Sequence, residues 1–136
     1  MIEELQQIPD KSILNVELVH NHTKNVKDLL IVHCIMAWNG EYLIGKDWSD
    51  SRQLLEEIES GTHLRKSLVY QTGFWDLFQD RLVGHTDLGD VSDRESDLIE
   101  GIVLKKPYGK LKFSTTPIKD VSWMMKIRHP SKKYPF

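Results

Sequence analysis

The sequence lacks several features that would assign it to a particular compartment. It has one cysteine, Cys34, among 136 residues, so it can form no internal disulfide and no cysteine-type zinc site by itself. No apolar run approaches the roughly 18 residues that span a membrane as a helix. The N-terminus carries Glu3 and Glu4 instead of the basic and then apolar order of a signal peptide. We therefore expect an intracellular, cytoplasmic protein with no membrane partner.

Short catalytic signatures are also missing. The chain contains no G-x-S-x-G, H-E-x-x-H or C-x-x-C sequence, which removes the usual signals of serine hydrolases, zinc proteases and thiol redox proteins. What it does contain is enough apolar material for a core, with 40% apolar residues and 4 each of Trp, Tyr and Phe. Its length predicts a single domain over residues 1–136.

The charges are unevenly distributed, although the formal net charge is only −2. Residues 1–100 hold 9 basic and 19 acidic residues, whereas residues 101–136 hold 9 basic residues and one acidic residue, Asp120. This last part has a balance of +8, which favours a polyanionic partner such as a nucleotide or nucleic acid. A basic face that serves only solubility is the alternative.

Three strands are predicted in the first half of the chain. Residues 13–20 alternate between apolar and polar, and residues 29–38 are nearly all apolar, which indicates a central strand buried on both faces. The turn pair Asn39-Gly40 ends this second strand, and residues 67–71 can form a third, short one. The apolar side of the first strand consists of Leu14, Val16 and Leu18.

Two helices are predicted. The first is capped by Ser49 or Asp50 and ended by Gly61, and its apolar stripe is Leu54, Leu55 and Ile58. The second has apolar residues at helical spacing, which we assign to the core: Phe74, Trp75, Leu77, Phe78 and Leu82.

The C-terminal part predicts strands separated by turns. A polar, acidic loop over residues 84–97 precedes three strands, and Pro107-Tyr108-Gly109 is a turn between the first two. These strands cover residues 98–105, 110–114 and 121–127. The predicted fold class is therefore α+β, mainly antiparallel sheet with two or so helices.

The segment Glu100-Gly-Ile-Val-Leu-Lys105 fits the sequence E-G-x-V-x-K. With its neighbours it resembles the covalent nucleotidyltransferases, the superfamily of ATP-dependent DNA ligases, RNA ligases and messenger RNA capping enzymes. The fold implied is part of the ligase nucleotidyltransferase domain, which is ATP-grasp-like. The neighbouring segments that resemble the family occur in its order and cover residues 13–19, 32–41, 49–57 and 123–128.

The resemblance implies a role for five residues in binding ATP and Mg²⁺. Glu100 would hold the metal, and Glu17 would contact the ribose. His33 stands where the family stacks an aromatic ring on the adenine, and it offers a smaller ring. Lys126 and Arg128 alternate along a strand and would hold phosphate from one face.

Lys105 is implied as a contact to DNA or phosphate, and it lies on the opposite face of its strand from Glu100. Other positions depart from the family. Its D-G-E reads Asn15-Val16-Glu17 here, and Cys34 replaces an aspartate. Only 16 residues precede Glu17 and none spells K-x-D-G, so the nucleophilic lysine is absent and we assign no catalytic residue.

We therefore expect a partial adenylation domain of a DNA ligase family protein that is inactive alone. Nicked DNA, or RNA, is the expected partner, and a second chain would supply the lysine motif. Whether the 136-residue chain is a truncated product, one part of a split enzyme or a relic that kept the scaffold without the chemistry stays open, as does the choice between DNA ligase, RNA ligase and guanylyltransferase. The alternatives are a non-catalytic nucleic-acid-binding module that uses the basic C-terminal strands, and a structural or immunity-type protein.

Overall fold

The computed structural model of the chain describes residues 2–20, 26–77, 101–113 and 121–128. These residues form an α+β fold with mainly antiparallel sheet, as the sequence predicts, and residues 74–77 add a helical turn. The elements are α1 (Ile2–Leu5), β1 (Ile13–Val19), β2 (Leu29–Trp38), β3 (Glu41–Tyr42), α2 (Trp48–Leu55), β4 (Leu64–Lys66), β5 (Gly101–Lys105) and β6 (Met124–Arg128). The predicted loop over residues 84–97 lies outside the described residues, as do Phe78, Leu82 and Glu100.

Strand β2 is the centre of the larger sheet. β1 and β3 pair with it antiparallel and β4 pairs with it parallel, so the apolar run of residues 29–38 forms the central strand that the sequence predicts. Asn39 and Gly40 turn the chain from β2 into β3 with φ angles of 49° and 82°. Two successive positive φ angles belong to the tight turn that Asn-Gly favours, which confirms this turn.

The core lies between β2 and α2. Leu55 and Ile58 pack against β2 with 1% and 0% of their surface exposed, and Leu54 is half-buried beside them. The predicted cap is wrong, because the N-cap residue is Asp47. The backbone N–H of Asp47 donates a hydrogen bond to the carboxylate of Asp50 at 3.3 Å.

The helix also ends earlier than predicted. Its last residue is Leu55, and the following turn still carries Ile58 to the core, because the N–H of Ile58 donates to the carbonyl of Leu55. Gly61 instead lies against Glu4 of α1. The carboxylate of Glu4 accepts hydrogen bonds from three successive backbone N–H groups, those of Thr62, His63 and Leu64, at 2.7 to 3.1 Å.

The apolar side of β1 is more exposed than predicted. Leu14 is half-buried, but Val16 and Leu18 are 41% and 59% exposed. Among the described residues β1 pairs only with β2, and two register shifts interrupt the pairing. An edge strand has neighbouring side chains on one side only, so regular alternation does not bury its apolar side here.

Two further predictions around residue 70 are wrong. The strand expected over residues 67–71 lies earlier, at β4, because the N–H of Ser67 makes the last hydrogen bond to β2 there. Phe74 and Trp75 were assigned to the core, yet they are 42% and 69% exposed. Helical spacing predicts the helical turn. It does not reveal whether the aromatic side of that turn meets the core or solvent.

The C-terminal strands pair with each other, β5 antiparallel to β6. The predicted strand over residues 110–114 does not form in its described part, residues 110–113, where one bridge joins Lys110 to Asp47. Leu111 explains this difference, because it is 4% exposed in the core and its backbone bonds to the segment before α2. The predicted turn is present, and the indole of Trp123 lies directly over Gly109.

Candidate nucleotide and phosphate site

Glu17 and His33 come together across β1 and β2. The Nε2 atom of His33 lies 3.4 Å from Oε2 of Glu17, and both side chains reach solvent. The register shift between Asn15 and Val16 leaves His33 with no direct partner in β1, which makes it the extra residue of a β-bulge. Bulges re-aim a side chain and are frequent beside active sites. The residues expected to contact ribose and adenine therefore form one accessible pair.

The basic strand β6 lies beside β5. Val103 is opposite Lys126, and Gly101 is opposite Arg128. Residues directly opposite in an antiparallel pair project to the same side, so Lys126 lies on the face of the ribbon that also carries Val103.

Gly101 begins β5 in a backbone conformation that residues with a side chain rarely adopt. Its φ angle is 144°, and it directly follows Glu100 in the chain. A residue with a Cβ would be strained at this φ, whereas glycine is not. The glycine of the E-G-x-V-x-K sequence therefore has a backbone reason to be there.

Lys105 turns its charge toward an aromatic ring. Its Nζ lies 4.9 Å from the ring centroid of Trp48 at the start of α2. Withdrawal from water lowers the pKa of Lys105, and the thiol of Cys34 acts weakly in the opposite direction. By the register Lys105 shares a ribbon face with Lys126, but its ammonium packs on the indole.

Cys34, which stands in place of the family's aspartate, is a buried residue. Its Sγ lies 3.2 Å from Oγ of Ser51 on α2. The same Oγ accepts a hydrogen bond from the backbone N–H of Ile35 at 2.7 Å, and Ser51 is completely buried. This serine hydroxyl joins α2 to the central strand β2, so the position of Cys34 serves packing.

The predicted metal site is incomplete in the part of the chain that can be described. Glu100 lies outside it, and within residues 2–20, 26–77, 101–113 and 121–128 no three His, Cys, Asp or Glu side chains are grouped to hold a metal ion. Carboxylate oxygens are the ligands that Mg²⁺ prefers. Glu100 carries such a carboxylate, and its role as a metal ligand stays a prediction.

Sequence reasoning missed the role of the start of α2. Trp48 lies under the ammonium of Lys105, and the carboxylate of Asp47 pairs with Lys110 at 2.8 Å. The partners in each pair are more than 50 positions apart, so no local pattern reveals them. The density of lysine in residues 105–112 was the available signal that this segment meets acidic or aromatic groups.

Comparison with family models, curated proteins and solved structures finds no match to this chain. Among the described residues, the structure also contains no helix that is long and apolar enough to cross a membrane.

Proposed function

We propose that this chain is part of an adenylation domain of the ATP-dependent polynucleotide ligase type. It would bind the nucleotide and the phosphates of the polynucleotide, and another chain would supply the nucleophilic lysine. The observation that carries this proposal is the antiparallel pairing of β5 with β6. Adenylyl transfer needs cations near the segment that would hold the metal, and this pairing makes the basic strand β6 the direct neighbour of β5, which carries residues 101–105 of the E-G-x-V-x-K sequence.

The nucleotide end of the site has independent support from β1 and β2. Glu17 and His33 belong to separate family-like segments and still lie 3.4 Å apart. A carboxylate accepts hydrogen bonds from ribose hydroxyls, and an imidazole ring can stack on a base. The pair is exposed enough for a ligand to reach both groups, with 62% of the Glu17 side chain and 38% of the His33 side chain open to solvent.

The proposed reaction has three group transfers. A lysine amine of the second chain forms a bond to the α-phosphorus of ATP, loses a proton, and releases pyrophosphate. The adenylyl group then passes to a polynucleotide 5′-phosphate, and a 3′-hydroxyl displaces AMP to close the strand. Lys126 and Arg128 would neutralise phosphate charge in each step without forming covalent bonds.

Incubation with ATP labelled at the α-phosphate and with Mg²⁺ tests the proposal. The chain alone should take up no covalent label, because it lacks the K-x-D-G lysine. Addition of a chain that carries the lysine half of such a domain should produce a lysine-linked label that is stable to alkali and labile to acid, as a phosphoramidate is. Glu100→Ala should abolish this label and Lys126→Ala should reduce it, whereas Lys46→Ala, a surface lysine paired with Glu41, should not.

Two results contradict the proposal. A lysine-linked label on the lone chain would show that it carries its own nucleophile. A mixture that stays unlabelled although both chains are folded and bind each other would remove the complementation.

A second candidate is a non-catalytic nucleic-acid-binding module. The observation that favours it is that three lysines after β5 are exposed, namely Lys106, Lys110 and Lys112. Such a module binds polynucleotides with an affinity that falls steeply with salt and does not respond to ATP. Binding that strengthens or weakens when ATP is added would favour the adenylation domain instead.

A further inference from the structure

The segment that follows β5 combines positive charge with exposed aromatic rings. Residues 106–113, which we term the basic aromatic loop, read K-P-Y-G-K-L-K-F and contain no acidic residue. Tyr108 is 80% exposed and Phe113 is 71% exposed. Lys106, Lys110 and Lys112 are exposed as well. A ring that serves the core would be buried, and neither ring packs into the core that the described residues form.

Backbone hydrogen bonds fix the first half of the loop against α2. The N–H groups of Trp48 and Ser49 donate to the carbonyls of Gly109 and Pro107 at 2.8 and 3.1 Å. The first N–H groups of a helix have no partner within the helix, and here the loop supplies their acceptors. Tyr108 therefore projects from a turn that is held on both sides.

The second half of the loop is fixed by the core. The side chain of Leu111 is 4% exposed, and its N–H donates to the carbonyl of Lys46 at 3.0 Å. Its own carbonyl accepts from the N–H of Gly45 at 2.8 Å. Lys110 and Lys112 flank this anchor, so their backbone positions are set before any ligand binds, and Phe113 follows two residues after it. Preorganised side chains lose less entropy on binding.

The loop is also joined to the proposed phosphate site. The N–H of Lys106 donates to the carbonyl of Trp123 at 2.8 Å, directly before β6. Lys106, Lys112 and Lys126 thus belong to connected segments with no acidic residue in residues 105–113, whereas Lys110 is paired with Asp47. Charge complementarity over this length fits an extended polyanion better than a single phosphate group.

We propose that the basic aromatic loop binds unpaired nucleotides of a polynucleotide. Tyr108 and Phe113 stack on bases, while Lys106 and Lys112 contact the intervening phosphates. Stacking platforms beside lysines are how proteins hold single strands, since every base has a face to stack and duplex bases are already stacked. This inference rests on the polynucleotide partner of the proposed function, and it does not depend on the nucleotide site.

Fluorescence anisotropy with a labelled single-stranded oligonucleotide, and with a blunt duplex of equal length, tests the inference. The single strand should bind more tightly than the duplex. Tyr108→Ala and Phe113→Ala should each weaken single-strand binding by about 5-fold or more, with duplex binding nearly unchanged. Tyr108→Phe keeps the ring and should restore the affinity. Tyr42→Ala removes a ring that is 64% exposed beside Glu41 on β3 and should have no effect.

The lysines should respond differently from the rings. Lys106→Ala and Lys112→Ala should each lower the slope of log affinity against log salt by about 0.7, the value for one phosphate contact on a single strand. The ring variants should leave this slope unchanged. A salt slope that no lysine variant alters would contradict the proposed phosphate contacts.

Three other outcomes overturn the inference. The first is that the alanine variants of Tyr108 and Phe113 bind the single strand as tightly as the unchanged chain does. The second is tighter binding to the duplex than to the single strand. The third is binding to anionic phospholipid vesicles without binding to either oligonucleotide. The labelling experiment with ATP is separate. Labelling without the ring effect contradicts only the inference, whereas the ring effect without labelling supports the inference and contradicts only the adenylation function.

Discussion

The indole of Trp123 lies so close to Gly109 that a Cβ atom at position 109 would be 2.3 Å from the ring. Atoms at this separation clash, and the ring is held in place because the carbonyl of Trp123 accepts a hydrogen bond from Lys106. The contact joins the turn after β5 to the start of β6. It therefore supports both the ribbon that carries Lys126 and the loop that carries Tyr108.

Gly109→Ala should lower the free energy of unfolding by about 1–3 kcal/mol, the usual range for an overpacked site. Urea denaturation followed by far-ultraviolet circular dichroism measures this change. Trp123→Ala in the same chain removes the clash, so a double-mutant cycle should show a positive coupling between the two positions. If Gly109→Ala lowers the free energy of unfolding equally with and without the indole of Trp123, the clash with the indole is not the cause of the destabilisation.

Ser51→Ala should destabilise the chain through the backbone of β2. The hydroxyl of Ser51 is the acceptor for the buried N–H of Ile35, and its loss leaves that N–H without a partner. We expect a loss of about 1–3 kcal/mol in the free energy of unfolding. Ser49→Ala, two residues earlier on the same helix and half-buried, is the control and should change it by less than about 0.5 kcal/mol. Similar losses for both variants would contradict this role of Ser51.

Glu4 should make stability depend on pH in the acidic range. Burial tends to raise its pKa, but hydrogen bonds from His63, Leu64 and Thr62 outweigh burial, and the pKa is lowered from its ordinary value of 4.5. A carboxyl group whose pKa is lower in the folded state stabilises the fold above the ordinary pKa. This stabilisation is lost as the pH falls through the lowered pKa of the folded state.

Glu4→Gln should therefore destabilise the chain at neutral pH and much less at a pH well below 4.5, where Glu4 is itself protonated. Thermal unfolding between pH 7 and pH 3 measures the difference. Glu3→Gln changes the net charge by the same amount on the same helix and is the control. A destabilisation by Glu4→Gln that is the same at every pH would contradict the linkage.

Much of the fold was readable from local patterns. The apolar run of residues 29–38 and the Asn39-Gly40 pair correctly predicted the central strand and its turn, because burial on both faces and positive φ angles each demand particular residues. The stripe of Leu55 and Ile58 correctly identified the helix side that meets the sheet.

What failed depended on partners distant in sequence. The exposure of Val16 follows from the edge position of β1, and the lost strand over residues 110–113 follows from the packing of Leu111 beside the segment before α2. For the site, the sequence supplied Glu17 and His33 as candidates but not the β-bulge at His33. Register shifts arise from the pairing of two strands, so neither strand alone encodes them.

His33→Phe tests the proposed adenine contact most directly. A larger apolar ring at the bulge should stack better on adenine and tighten ATP binding by about 2- to 10-fold, the effect of about 0.5–1.5 kcal/mol for an aromatic pair. His33→Ala should weaken it. Titration calorimetry with ATP and with inorganic tripolyphosphate separates the two parts of the ligand, since tripolyphosphate has no base and its binding should not respond to His33.

The matched control is His20→Phe, because His20 is a similarly exposed histidine just after β1 that pairs with Asp28. It should alter neither titration. Lys126→Ala should weaken tripolyphosphate and ATP alike, since both carry the phosphates that this side chain would contact. If His33→Phe leaves the affinity for ATP unchanged, the proposed contact of His33 with adenine is contradicted. The predicted role of Lys126 is then judged separately, from the titration with tripolyphosphate.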